Sequence, residues 1–191
     1  PLRTQDPEEG GLRLLYAAQP AIGSFDAAMH REVATLVIEA AKKLALTHHE
    51  FRIRIHPGDD PSIIRGIAAS ILGDQYNAYL STETVAGDLA WANVLTTLHS
   101  TMALQATYVD VQIVWLFADR FRYGIRDAFI NSGFGIATNS LEELVRALSH
   151  LKEEANRSDS LKSFRKIAGN QGILTIDPAG ACANSMQKSI F

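Results

Sequence analysis

The chain alternates between short apolar runs and longer amphipathic stretches, and the spacing of its hydrophobic residues names an element for each. Residues 12–18 (LRLLYAA) predict a strand, and residues 19–24, with Pro20 and Gly23, a loop. A helix is expected from Asp26, because Val33, Leu36, Val37, Ala40, Ala41 and Leu44 share one stripe at helical period. Residues 51–55 (FRIRI) alternate apolar and charged, which predicts a strand with one polar face near a sheet edge. His56-Pro57 closes that strand, since the residue before a proline is pushed out of the α region. Asp60-Pro61 reads as an N-cap followed by proline at the first helical position. The helix it opens turns Ile63, Ile64, Ile67, Ala68, Ile71 and Leu72 inward.

Residues 76–80 give a weaker strand signal, and residues 84–92 predict a short helix. Residues 93–98 (NVLTTL) predict a strand, and His99-Ser100-Thr101 the start of a helix that runs to about Val109. Residues 112–117 (QIVWLF) are the most hydrophobic strand and are expected at the sheet centre. A short helix over 125–130 and a strand over 135–138 follow. Ser140 with Glu143 fits a capping box, ahead of a helix that carries Leu141, Leu144, Val145, Leu148 and Leu151 on one face. Beyond Glu154 the pattern predicts a polar stretch, a helix ending near Gly169 and a last helix after Asp177-Pro178. Strands alternating with helices predict an α/β, three-layer Rossmann-like domain with a parallel sheet and helices on both faces, joined by right-handed crossovers. Residues 1–11 read as a tail or linker, and residues 12–191 as one domain.

Composition narrows the picture only a little. A chain of 191 residues with 47% apolar content can bury a core without covalent staples. A net charge of −3 argues against a nucleic-acid binder, which would usually show a strongly basic face. Cys182 has no partner cysteine, which fits a reducing cytoplasm and equally a secreted protein without disulfides. The opening PLRTQDPEEGG has no basic start and no apolar run, so no signal peptide is expected. Because it opens on proline, the chain reads as a processed protein or a part of a longer one. Its longest apolar run is far too short to span a bilayer, so no transmembrane segment is expected.

In a parallel sheet, ligands bind outside the carboxyl ends of the strands, so the loops after each strand are where chemistry is sought. In the loop 19–26 (QPAIGSFD), Gly23 permits close backbone approach to a ligand and Ser24 offers a hydrogen bond. The plain alternative is a βα turn capped by Asp26. His56 after its strand, aimed by Pro57, suits a proton or positive charge offered to a phosphate, or else it is a surface histidine that ends a strand. His99-Ser100-Thr101 opens a helix, where hydroxyls cap free N–H groups and the same groups can hold an anion. Gln105 follows one turn later and reaches back beside such a ligand, or is simply solvated. His48-His49 at a helix end complements the dipole. Asp119, Arg120 and Arg122 follow the most hydrophobic strand on the ligand side. No Walker A, GxGxxG, GxSxG or metal-ligand spacing is present, so no metal site is expected.

Taken in order, RLLYAAQP, the strand ending in IHP, and DLAWANVLTTLHSTMALQATYVDVQIVWL resemble the C-terminal, nucleotide-sugar-binding domain of GT-B glycosyltransferases. The resemblance is to the bacterial capsule and lipopolysaccharide group with HP and Ser-Ser or Ser-Thr motifs, the neighbourhood of polysialyltransferases, Kdo transferases and teichoic-acid polymerases. It covers roughly residues 12–148. It implies that Gly23, Ser24, His56, Pro57, His99, Ser100, Thr101 and Gln105 surround the donor. His56 would contact the donor phosphate as the catalytic residue, and Ser100 and Thr101 would hold that phosphate. Gln105 stands where the family usually has a ribose-binding glutamate; an amide donates as well as accepts and carries no charge. The family's usual Gly-Pro before the next strand is replaced by Val109-Asp110-Val111.

The resemblance implies transfer of a sugar from a CMP- or UDP-linked donor to a bacterial surface polysaccharide. The nucleotide sugar would be substrate, with no further cofactor. It also implies a missing N-terminal acceptor domain, in cis or in trans, without which this chain is expected to be inactive. A cytoplasmic protein is expected, with room for peripheral membrane association of the whole. Three alternatives stand beside it: half of a nucleotide-sugar epimerase, a non-catalytic GT-B-like interaction domain, and an unrelated doubly wound module of flavodoxin type.

Overall fold

A computed structural model describes residues 11–21, 25–120 and 124–156. The expected helices beyond residue 156 lie outside the described residues, as do Gly23, Ser24 and Arg122. Five parallel strands, β1 (Leu14–Ala17), β2 (Phe51–Arg54), β3 (Val94–Thr97), β4 (Gln112–Leu116) and β5 (Ile136–Thr138), form one sheet in the order β2-β1-β3-β4-β5. Among the described residues six α-helices connect or follow them: α1 (Ala27–Lys43), α2 (Pro61–Leu72), α3 (Val85–Trp91), α4 (Met102–Ala106), α5 (Gly124–Asn131) and α6 (Leu141–Asn156). The expected three-layer α/β class is therefore the fold observed.

Each face of the sheet has its own apolar layer. Leu14, Tyr16, Phe51, Ile53, Val114 and Leu116 pack with residues of α1, α2 and α6. Leu15, Ala17, Leu95, Ile113 and Trp115 pack with residues of α3 and α4 and with Phe129 of α5. This is the alternation of side chains across a strand, period two, with both faces covered. Helix starts follow local chemistry. Asp26 Oδ1 accepts the N–H groups of Ala28 and Met29 at 2.9 Å, and Asp60 Oδ1 accepts that of Ser62 at 2.9 Å. Ser140 Oγ accepts from Glu143 N–H at 3.2 Å, while the Glu143 carboxylate reaches back to Asn139 N–H at 2.7 Å, one residue before the box position expected.

The charged face of β2 is explained by what covers it. Asp88 of α3 is fully buried and accepts from Arg54 at 2.8 Å and from the Ser81 hydroxyl at 2.7 Å. Arg52 lies over the Trp91 ring at 4.0 Å. An isolated carboxylate there would cost several kcal/mol, so the two arginines and the serine are what let α3 dock.

Three expectations are corrected. Residues 76–80 do not form a strand: Asp74–Tyr79 is a 3-10 helix, and only Leu80 makes a parallel bridge, to Ile53. Gly73, at φ 76°, turns the chain into that helix. The most hydrophobic strand, β4, is not central; β3 is, with β4 beside it. The helix after His99-Ser100-Thr101 ends at Ala106, not near Val109, and Asp110 turns back at φ 57°.

Candidate functional site

The direction of strand addition reverses between β1 and β3, since β2 lies outside β1 and β4 outside β3. In doubly wound sheets the crevice at that point receives the ligand. Thr97, at the end of β3, pins the crevice: its hydroxyl donates to the Ala17 carbonyl of β1 at 3.0 Å and accepts Ser100 N–H at 3.2 Å. Gln19 after β1 is buried, and its amide turns back to the Ala18 carbonyl at 3.3 Å.

The loop after β2 carries His56 and Pro57, both exposed. Gly58 N–H donates to His56 Nδ1 at 3.0 Å, and Asp59 N–H donates to the His56 carbonyl at 3.0 Å. A backbone N–H can only donate, so Nδ1 must be the acceptor and the neutral ring carries its proton on Nε2. His56 is thereby set as an Nε2–H donor, fit to meet an anionic oxygen.

The loop after β3 carries His99, Ser100 and Thr101. Ser100 Oγ accepts Met102 N–H at 3.2 Å, a capping role. Thr101 is exposed, sits in helical geometry and makes no side-chain cap bond. Gln105 is exposed on α4. His99 is half-buried, and burial, helped by the nearby Arg126 charge, holds its pKa below the usual imidazole range. The structure thus brings His56 and Ser100 to the same edge of the sheet, after β2 and β3 on the two flanks of β1. The rings of His48 and His49 lie 3.9 Å apart, tilted at 44°, beyond the far end of α1 and away from that edge. Arg120 pairs with Glu32 of α1, and Asp119 is bonded through its N–H and its carboxylate to Asn139.

Two groups at this edge escaped the sequence reading. His30 of α1 is fully buried, and its Nε2 lies 3.0 Å from Asp59 Oδ2, whose side chain is nearly as buried. The two atoms are close but not aligned for a hydrogen bond, and the Tyr16 hydroxyl and His30 Nδ1 are also buried without a hydrogen-bond partner. Burial drives His30 below its ordinary pKa and Asp59 and Tyr16 above theirs, while the mutual attraction of His30 and Asp59 opposes the shift of each. The signal was present: His30 falls on the stripe of Val33, Ala34, Val37 and Ala41 at helical spacing.

The second group is Arg126 of α5, 2% exposed. Its guanidinium donates to the carbonyls of Leu116 (3.3 Å) and Ala118 (3.1 Å) and pairs with Asp127 at 3.1 Å. It holds the end of β4, where Phe117 takes a left-handed φ of 47°, a strained setting for a bulky residue.

Among the described residues no three His, Cys, Asp or Glu side chains converge on a metal position, and no helix is long and apolar enough to cross a membrane. No protein-family model matches the chain, and no curated protein matches its sequence.

Proposed function

We propose that the carboxyl edge around β1 binds the phosphates of a nucleotide sugar, and that this chain is the donor-binding half of a GT-B glycosyltransferase for bacterial surface polysaccharide. One observation carries the reading: the Ser100 loop borders the switch point between β1 and β3 of a doubly wound sheet, and the His56 loop lies at the same edge on the other side of β1. The Leu80 bridge beyond β2 supports it as well, because counting that position gives the six-place order 3-2-1-4-5-6 of dinucleotide-binding sheets. His56 Nε2–H would donate to the phosphate of the leaving nucleotide, and the Ser100 hydroxyl would bind beside it. Such fixed donors stabilise the negative charge that grows as the sugar departs. The acceptor and its base belong to a second domain.

A second reading has its own observation. The N–H groups of Ser100 and Met102 are already bonded within the chain, and α4 is only five residues long. A phosphate would have to displace the Ser100 hydroxyl from Met102. This favours a non-catalytic interaction domain of the same fold.

Calorimetric titration with CMP, UDP, GDP and ADP separates the two. The donor reading expects one nucleotide to bind, and His56→Ala and Ser100→Ala each to weaken it by about tenfold, the effect of one charge-assisted hydrogen bond. A folded sample that binds none of the four, alone or joined to its second domain, supports the interaction domain.

A further inference from the structure

The loop that presents His56 is short and exposed at its tip, and past Ile55, which packs on the core, it has no buried apolar side chain before Ile64. Its fixed point is Asp59, three residues on, whose N–H bonds the His56 carbonyl and whose Oδ1 accepts Asp60 N–H at 3.0 Å. Its Oδ2 meets His30, which belongs to a different element and sits fully buried beneath the loop. The only link from the turn 56–59 to the body of the domain that uses a side chain at close range among the described residues is this pair.

We infer that His30 is a positioning residue: through Asp59 it holds the turn 56–59 against α1, and so fixes the single tautomer and the aim of His56. His30 touches no ligand itself. The functional consequence rests on the nucleotide reading above, but the positioning of His56 does not.

The groups that face the pair are known from each side. Tyr16 approaches from β1, Arg31 from α1, and His56 and Asp60 from the loop itself. The Tyr16 hydroxyl and His30 Nδ1 have no bonding partner to replace the contact if it is lost. A merely structural pair would behave otherwise: swapping both partners for apolar side chains of like size restores packing and whatever depends on it.

The test uses nitrogen-15-labelled protein, with imidazole nitrogen shifts assigned for His56 and His150 and amide exchange followed at Gly58 and Leu148. In the native protein His56 should show an unprotonated Nδ1 and a protonated Nε2, with Gly58 N–H protected. Asp59→Asn keeps the bond from Asp60 N–H. The double variant His30→Phe, Asp59→Leu removes both polar partners and guards against loss of fold from a stranded charge. In each, Gly58 exchange should quicken by about tenfold or more and His56 should show mixed tautomers, while Leu148 and His150 stay as they were. If the double variant is as stable as the native protein and keeps His56 in one tautomer with Gly58 protected, the inference is overturned. CMP and UDP titrations on the same samples separate the two ideas. Disordered His56 shifts with a native protein that binds neither nucleotide leave the positioning role standing and remove the nucleotide reading.

Discussion

Two loops at the carboxyl edge are each held by a buried ionisable side chain, and they are held in opposite ways. After β4, Arg126 spends its guanidinium on main-chain carbonyls and on Asp127, so the strained Phe117 turn has a bonded anchor. After β2, Asp59 meets His30 at 3.0 Å without hydrogen-bond alignment, and neighbouring polar atoms go unpaired. A satisfied buried charge is held by several bonds at once; a partly satisfied one rests on a single contact, and losing that contact frees the loop. The chain just after β4 is thus tied by several bonds, and the turn that carries His56 by one close polar contact.

The largest effect should come from the bonded anchor after β4. Arg126→Met strands the carbonyls of residues 116 and 118, and should cost about 3–5 kcal/mol in denaturant unfolding, the range for removing one member of a buried charged network. A loss as small as that of an ordinary surface substitution would erase the contrast between the loops.

A middle-sized effect is expected from pH. His30 faces the β2 loop and His99 the Arg126 side, and burial holds both below the ordinary value of 6.5. In that window the unfolded chain binds more protons than the folded one, so stability falls as pH drops below 6.5. Asp59, raised by burial, works the other way: its contribution is present below 3.8 and is lost as pH rises through its folded value. Melts at about pH 7, 6 and 5 should therefore show falling stability, and His99→Gln should flatten the slope. A slope that His99→Gln leaves unchanged would put the acid sensitivity elsewhere.

The smallest effect is at Gly58, where an added Cβ would lie 3.3 Å from His56 Nδ1. Gly58→Ala should cost about 0.5 kcal/mol or less in stability, as exposed substitutions do, yet shift the imidazole resonances of His56. Unmoved resonances would mean that the turn accommodates a methyl group without re-aiming the ring.

Much of the fold could be read from residue pattern. The stripe of Val33, Val37, Ala40 and Ala41, the caps at Asp26, Asp60 and Ser140, and the strands around Leu14, Val94 and Val114 all stand where periodicity put them. These are local signals, each contained in a few consecutive residues. Residues 76–80 were misread because Tyr76, Tyr79 and Leu80 suit a strand, yet they gain more by packing on the core from a 3-10 turn. For the site, the residues themselves offered His56, Pro57, His99, Ser100 and Thr101 in separate loops and Gln105 on a helix; their pattern had no means of saying which loops are neighbours.

By itself, then, the sequence determined the α/β class, the helix starts and the rough extent of most elements, because period and capping act within a turn or two of chain. Tertiary structure alone decided that β3 is central, that β1 divides His56 from Ser100, and that His30 and Arg126 are buried. Those facts depend on contacts between residues far apart in the chain, such as His30 with Asp59, whose energy exists only once the sheet and helices have come together.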